Sequence, residues 1–253
     1  MIPARSAPLS CYAADKVTHQ SPFAPGQTLL IDADDTLWEN NIYFERAIAA
    51  FISWLDHKEY TGQQVRERLN EVERENVRRH GYGLLSFRRA LMTCFQRLST
   101  EPITPQKHER ILSFAQSIAD QEIELLEGVA KALPQLALRH RLILMTKGNE
   151  AEQADKLSRS GLRGYFTGVE VPREKDPDAY RAVCGKYELA PPATWMIGNS
   201  PRSDINPALA SGLHAVYIHH PHTWVLEHEH LDAAPEGQLL LEMPSFGDLL
   251  RYF

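Results

Sequence analysis

Cysteine is scarce in this chain, with three in 253 residues. Cys11, Cys94 and Cys184 are odd in number and have no CxxC spacing, which excludes a disulfide framework and a cysteine zinc site and fits a reducing compartment. Positive charge is also short. Lys and Arg total 27 against 33 Asp and Glu, a net charge of -6, so no chain-wide field draws the protein to nucleic acid or an anionic membrane. An anionic ligand would need cations placed locally. Long apolar runs are missing too: nothing reads as a membrane span, and residues 1–26 lack the apolar stretch of a secretion signal. The expected location is the cytoplasm. Neither a dinucleotide fingerprint nor a Walker loop is present, which argues against nicotinamide cofactors and P-loop ATP hydrolysis. No obligate protein partner is evident.

What remains is an ordinary globular composition, 43% hydrophobic and 24% charged, long enough to bury a substantial core. Residues 1–26, with Pro3, Pro8, Pro22 and Pro25, read as an extended lead-in. "TLLI" (28–31) then reads as a strand buried on both faces, and it runs straight into three carboxylates, Asp32, Asp34 and Asp35.

Over residues 41–125 the period becomes helical. Phe44, Ile48, Phe51 and Leu55 form one stripe, Val65, Leu69 and Val72 a second, and Phe87, Leu91, Cys94, Phe95 and Leu98 a third. Thr61 with Gln64 makes a capping box, Ser86 precedes the third stripe, and Thr104-Pro105 opens a fourth helix running to about Glu124. From residue 126 helix and strand alternate. "GVAKALPQLALRH" is helical despite Pro134, "RLILMT" is a strand, and "AEQADKLSRSGL" is a helix ended by Gly161. Then follow "TGVEV", "DPDAYRAVCGKY", "TWMIGN", "PALASGL" and, as the last strand, "HAVYIHH". Repeated βα units predict an α/β fold, a Rossmann-like doubly wound parallel sheet. The core comprises residues 27–40 and 126–253, with an all-helical insert at 41–125. In such sheets ligands sit at the carboxyl ends of strands, which is where Asp32, Thr146 and Asn199 fall.

The ordered set "IDADDTLW", "LILMTKGN", "EKDPDAY" and "WMIGNSPRSD" resembles the four motifs of the haloacid dehalogenase-like hydrolase superfamily, and the helical insert resembles its C1-type cap. A DxD after an apolar run is common by chance. Four motifs in order at strand ends are a specific joint signal. The resemblance implies a Mg²⁺-dependent phosphatase acting on a small phosphorylated metabolite. A phosphate dianion repels a carboxylate nucleophile, and Mg²⁺ on hard oxygen ligands cancels that repulsion. By the resemblance Asp32 is the nucleophile and a metal ligand, and forms an aspartyl-phosphate. Asp34 is the general acid and base, with its main-chain carbonyl on the metal. Thr146 binds phosphoryl oxygens, Lys175 stabilises the nucleophile and the transition state, and Asn199 and Asp204 complete the metal site. Lys147, beside Thr146, is a further cation for the phosphate or a surface lysine.

Two positions depart from the family pattern: Asp35 stands where glycine is common, and Asn199 where an acid is usual. An amide oxygen can still hold Mg²⁺, but the lost charge weakens the site unless Asp204 or Asp35 compensates. The alternatives are a phosphomutase of the same superfamily, or a catalytically weak phosphate-binding protein. The acid at Asp34 argues against a haloacid dehalogenase, which uses no metal. The segment "HHPHTWVLEHEH" holds His219, His220, His222, His228 and His230, yet lacks an HExxH pair and cysteine ligands, so it is expected to be a loop at the site's entrance and not a metal centre. Trp38, Glu39, Asn40 and Tyr82 are placed to serve as a hinge or to face the site.

Overall fold

A computed structural model of the protein describes residues 23–253, so the extended lead-in expected at 1–26 lies almost wholly outside the described residues. Six strands form one parallel sheet: β1 (Thr28–Ile31), β2 (Arg141–Met145), β3 (Gly168–Glu170), β4 (Thr194–Gly198), β5 (His214–Ile218) and β6 (Leu240–Met243), in the order β3-β2-β1-β4-β5-β6. Alternation along each strand divides the core in two. Leu29, Ile31, Leu142, Leu144, Trp195 and Ile197 face one layer, packed on helix α5 (Val129–Arg139). Leu30, Ile143, Met145 and Met196 face the other, packed on Tyr180 and Val183 of helix α7 (Pro177–Tyr187).

Helices α1 (Asn41–Leu55), α2 (Gly62–His80), α3 (Leu84–Leu98) and α4 (Pro105–Ala119) lie between β1 and α5 in sequence and bury a core of their own around Phe51, Leu69, Leu91 and Phe114. The Thr61–Gln64 capping box is present at α2, and Thr104 caps α4. α4 ends at Ala119, five residues short of the expected Glu124. α3 starts at Leu84, ahead of Ser86, because its first amide donates to the Glu152 carboxylate of α6 (Glu150–Arg159), at 3.0 Å to Oε2. A partner 68 residues away caps this helix, and no local pattern signals it.

The strand expected to be last is not: β6 pairs with β5 through Val216–Leu241 and Ile218–Met243. "LLEM" is a short, partly exposed edge segment after a long loop, and it lacks the continuous apolar run of a central strand. α5 runs through Pro134 at its middle, which removes one interior amide bond and leaves the buried face of Val129, Leu133 and Leu136 intact. Among the described residues no helix is long and apolar enough to cross a membrane. β1 lies between β2 and β4, so the chain winds away from it in both directions. The loops at the carboxyl ends of β1, β2 and β4 therefore open on one crevice.

Candidate active site

Asp32 follows the last residue of β1, and its amide still donates to Ile197 O at 2.9 Å. A tight turn comes next, closed by Leu37 N donating to Ala33 O at 2.8 Å. Asp35 sits in that turn at φ 60, the left-handed region that favours glycine, which accounts for the glycine usual there in the family pattern. Its carboxylate accepts from the amides of Asn40 and Asn41, each at 2.9 Å, so it caps α1 and offsets part of the backbone strain. Burial pushes the Asp35 carboxyl up to about 7, with Asp34 adding repulsion against those two amides.

Lys175, 4% exposed, is the centre of the site. Its ammonium pairs with Asp32 Oδ1 and, at 2.6 Å, with Asp204 Oδ1. Thr36 Oγ1 lies 3.1 Å from Asp32 Oδ2 and 3.2 Å from Asn199 Oδ1. The Asn199 amide nitrogen donates to Thr223 Oγ1 at 3.0 Å, which leaves its oxygen turned towards the acids. Asp204 is held from behind by the Ser200 amide, 3.0 Å from Oδ2, and lies so close to Gly198 that a Cβ there would come within 2.2 Å of that oxygen. Burial, outweighing Lys175 and reinforced by Asp204, pushes the Asp32 carboxyl up to about 7. Burial works against the Lys175 ammonium as well, but Asp204 and Asp32 prevail and raise its pKa.

Asp34 turns away from this group. Its carboxylate accepts from Trp38 Nε1 at 2.7 Å, from Gln153 Nε2 at 2.9 Å and from Lys156 Nζ at 2.7 and 2.9 Å. Lys156 also reaches Asn40 Oδ1 at 2.9 Å, tying α6 to the strap that leads into α1. Burial alone would raise the Asp34 carboxyl, but the Lys156 ammonium and the three donors hold it below the ordinary value. Thr146, buried at the end of β2, lines the same cavity, which measures about 300 Å³ and is bordered by all seven of Asp32, Asp34, Thr146, Lys147, Lys175, Asn199 and Asp204. Lys147 is not a free cation: it donates to Glu227 Oε1 at 2.6 Å, to Ser203 Oγ at 2.7 Å and to Tyr82 Oη at 3.1 Å. The histidine-rich segment lines the mouth through Thr223, Trp224 and Glu227.

Sequence reasoning passed over Gln153, Lys156, Glu227 and Thr223. Gln153 and Lys156 are three apart on α6 and so share a face. That spacing was legible, but nothing in a charged helix marks which face meets a buried acid. Glu227 and Thr223 come from a loop whose path only the tertiary structure supplies.

The model for haloacid dehalogenase-like hydrolases matches residues 27–212. The chain belongs to that family. The hydrolase is similar to the crystal structure of a haloacid dehalogenase-like family hydrolase from Xanthomonas campestris, at a TM-score of 0.73 and 28% identity over 90% of this chain and 96% of that one. An L-2-haloacid dehalogenase from Xanthobacter autotrophicus shares the fold at 17% identity, with a TM-score of 0.61 over 89% and 97% of the two chains. Among curated proteins, human N-acylneuraminate-9-phosphatase is 29% identical over 100 residues, 38% of this chain and 40% of that protein. The hydrolase thus aligns with well under half of that relative's length.

Proposed function

We propose that this hydrolase is a Mg²⁺-dependent phosphatase that cleaves a small phosphorylated metabolite through an aspartyl-phosphate on Asp32. The observation that carries the reading is the single buried ammonium of Lys175 between the carboxylates of Asp32 and Asp204, with a third oxygen, Asn199 Oδ1, turned towards them. One cation faces two buried acids, so the pair of carboxylates keeps one unbalanced negative charge when both are ionised. Hard oxygen donors with surplus negative charge fit Mg²⁺, held by Asp32, Asp204 and Asn199 together with the Asp34 main-chain carbonyl. When bound, Mg²⁺ supplies the positive charge that lets a carboxylate approach a phosphate dianion. The phosphatase activity of the curated relative supports the same class of substrate.

In this reading Asp32 attacks phosphorus, and the bond to the leaving oxygen breaks as that oxygen takes a proton from Asp34. Asp34 then takes a proton from water, the water oxygen attacks phosphorus, and the bond to Asp32 breaks to release phosphate. Lys175 balances charge on the phosphoryl oxygens, and Thr146 donates to one of them. Asp34 rests as a carboxylate on Lys156, so before the first turnover it gives up that contact and takes a proton from solvent, and each later turnover returns one from the attacking water. Lys147, already matched by Glu227, shapes the rim. The helical insert at 41–125 acts as a cap that excludes water from the closed site.

The test is hydrolysis of p-nitrophenyl phosphate and of sugar, glycolytic and nucleoside phosphates, with Mg²⁺, with EDTA, and in Asp32→Asn. Mg²⁺-dependent turnover that the variant abolishes is expected. Transfer of the phosphoryl group to a second sugar hydroxyl would make the protein a mutase. Binding of phosphate or beryllofluoride without turnover on any of these compounds would replace the phosphatase reading with a binding one.

A further inference from the structure

We infer that Asp35, Glu39 and His220 form a second cation site, distinct from the Asp32–Asp204 group, that takes a transition-metal ion such as Zn²⁺. Ligand atoms of the three side chains all lie within 4.8 Å of one another. The imidazole stands between two acids, with Nε2 3.3 Å from Glu39 Oε2 and Nδ1 3.9 Å from Asp35 Oδ1. The side chains of His220 and Asp35 are each 6% exposed. Glu39 Oε2 is buried, and the polar group it faces is the His220 imidazole at 3.3 Å, whose geometry leaves that carboxylate oxygen weakly satisfied.

Charge favours an ion over the three groups alone. With Asp35 and Glu39 ionised, two carboxylates face one imidazole, and a divalent ion with a neutral imidazole balances them. The nitrogen donor sets the choice of metal. Imidazole with carboxylate suits Zn²⁺ and its neighbours, while Mg²⁺ prefers oxygen alone. The position gives the site a use. Asp35 belongs to the turn after β1, Glu39 to the strap into α1, and His220 to the loop after β5, so one ion would clamp the junction between helical insert and core. The inference does not depend on the phosphatase reading.

The metal-stripped 253-residue chain is titrated with Zn²⁺ by calorimetry in excess Mg²⁺, added to saturate the proposed Asp32–Asp204 site. About one Zn²⁺ per chain is expected, weakened roughly tenfold or more in His220→Ala and in Glu39→Gln. It should survive in Asp204→Asn and in His222→Ala, the latter controlling for the neighbouring exposed histidines. Zn²⁺ should also raise the melting temperature of the parent protein and of Asp204→Asn but not of His220→Ala, whose metal-free melt reports its folding. No Zn²⁺ uptake in excess Mg²⁺, uptake unchanged in both His220→Ala and Glu39→Gln, or loss in Asp204→Asn or His222→Ala alone would overturn the assignment.

Discussion

Gly198 is the most exacting position in the site, and Gly198→Ala isolates it. A Cβ there would stand 2.2 Å from Asp204 Oδ2 and 2.4 Å from Asp204 Cγ, so the carboxylate has to retreat by roughly 1 Å before reaching ordinary contact. Asp204 cannot move so far and keep both of its anchors, the Ser200 amide at 3.0 Å and Lys175 at 2.6 Å. A hydrogen bond to a charged group contributes about 1.5–3 kcal/mol, and overpacking costs about 1–3 kcal/mol, so the expected loss is about 3 kcal/mol. Urea unfolding in EDTA should show it as a lower midpoint at unchanged slope. Mg²⁺-dependent turnover of p-nitrophenyl phosphate should fall by about 10²-fold, since displacement of this order is enough to misplace a reacting group. Gly185→Ala is the control: it lies in α7 with nothing within 4 Å of its Cβ, so it should stabilise by about 0.5–1 kcal/mol. A Gly198→Ala protein with wild-type midpoint and turnover would refute the claim that Asp204 is held against the end of β4.

Lys156→Met removes the cation that keeps the Asp34 carboxyl low, so burial should carry that carboxyl upward. The limb of the pH–kcat/KM profile set by Asp34 should move to higher pH, and an unmoved limb would remove Asp34 from the acid–base role. Glu73, buried in the helical insert, is pushed by burial from the ordinary 4.5 up to about 7, against Arg66. The folded state therefore holds a proton that the unfolded chain has lost between those values, and stability should fall by about 3 kcal/mol as pH rises through that window. Glu73→Gln should flatten this slope in urea titrations from pH 4 to pH 8, and identical slopes would refute it. Lys175→Met leaves Asp32 and Asp204 buried without their ammonium and should cost about 3–5 kcal/mol in EDTA at pH 8, with less loss in Mg²⁺. An equal loss with and without Mg²⁺ would count against a metal shared by those two acids.

The parallel sheet and the helical insert were legible because local chemistry repeats. Buried strands such as "TLLI" and "RLILM" are continuous apolar runs, and the stripe through Phe87, Leu91 and Cys94 keeps helical spacing. Strand-end acids and amides marked a candidate site for the same reason: a carboxylate after a buried strand is expensive to bury without a partner. β6 escaped because an edge strand needs no such run, and the start of α3 because its cap comes from Glu152 on another element. The amino-acid order by itself determined which residues end each strand, and hence that Asp32, Thr146 and Asn199 open on one crevice. Only the tertiary structure decided the pairings: Lys175 with Asp32 and Asp204, Lys156 with Asp34, Lys147 with Glu227, His220 with Glu39. Charge partners are chosen by distance after folding, and distance between residues separated by 29 to 181 positions is not written in any local pattern.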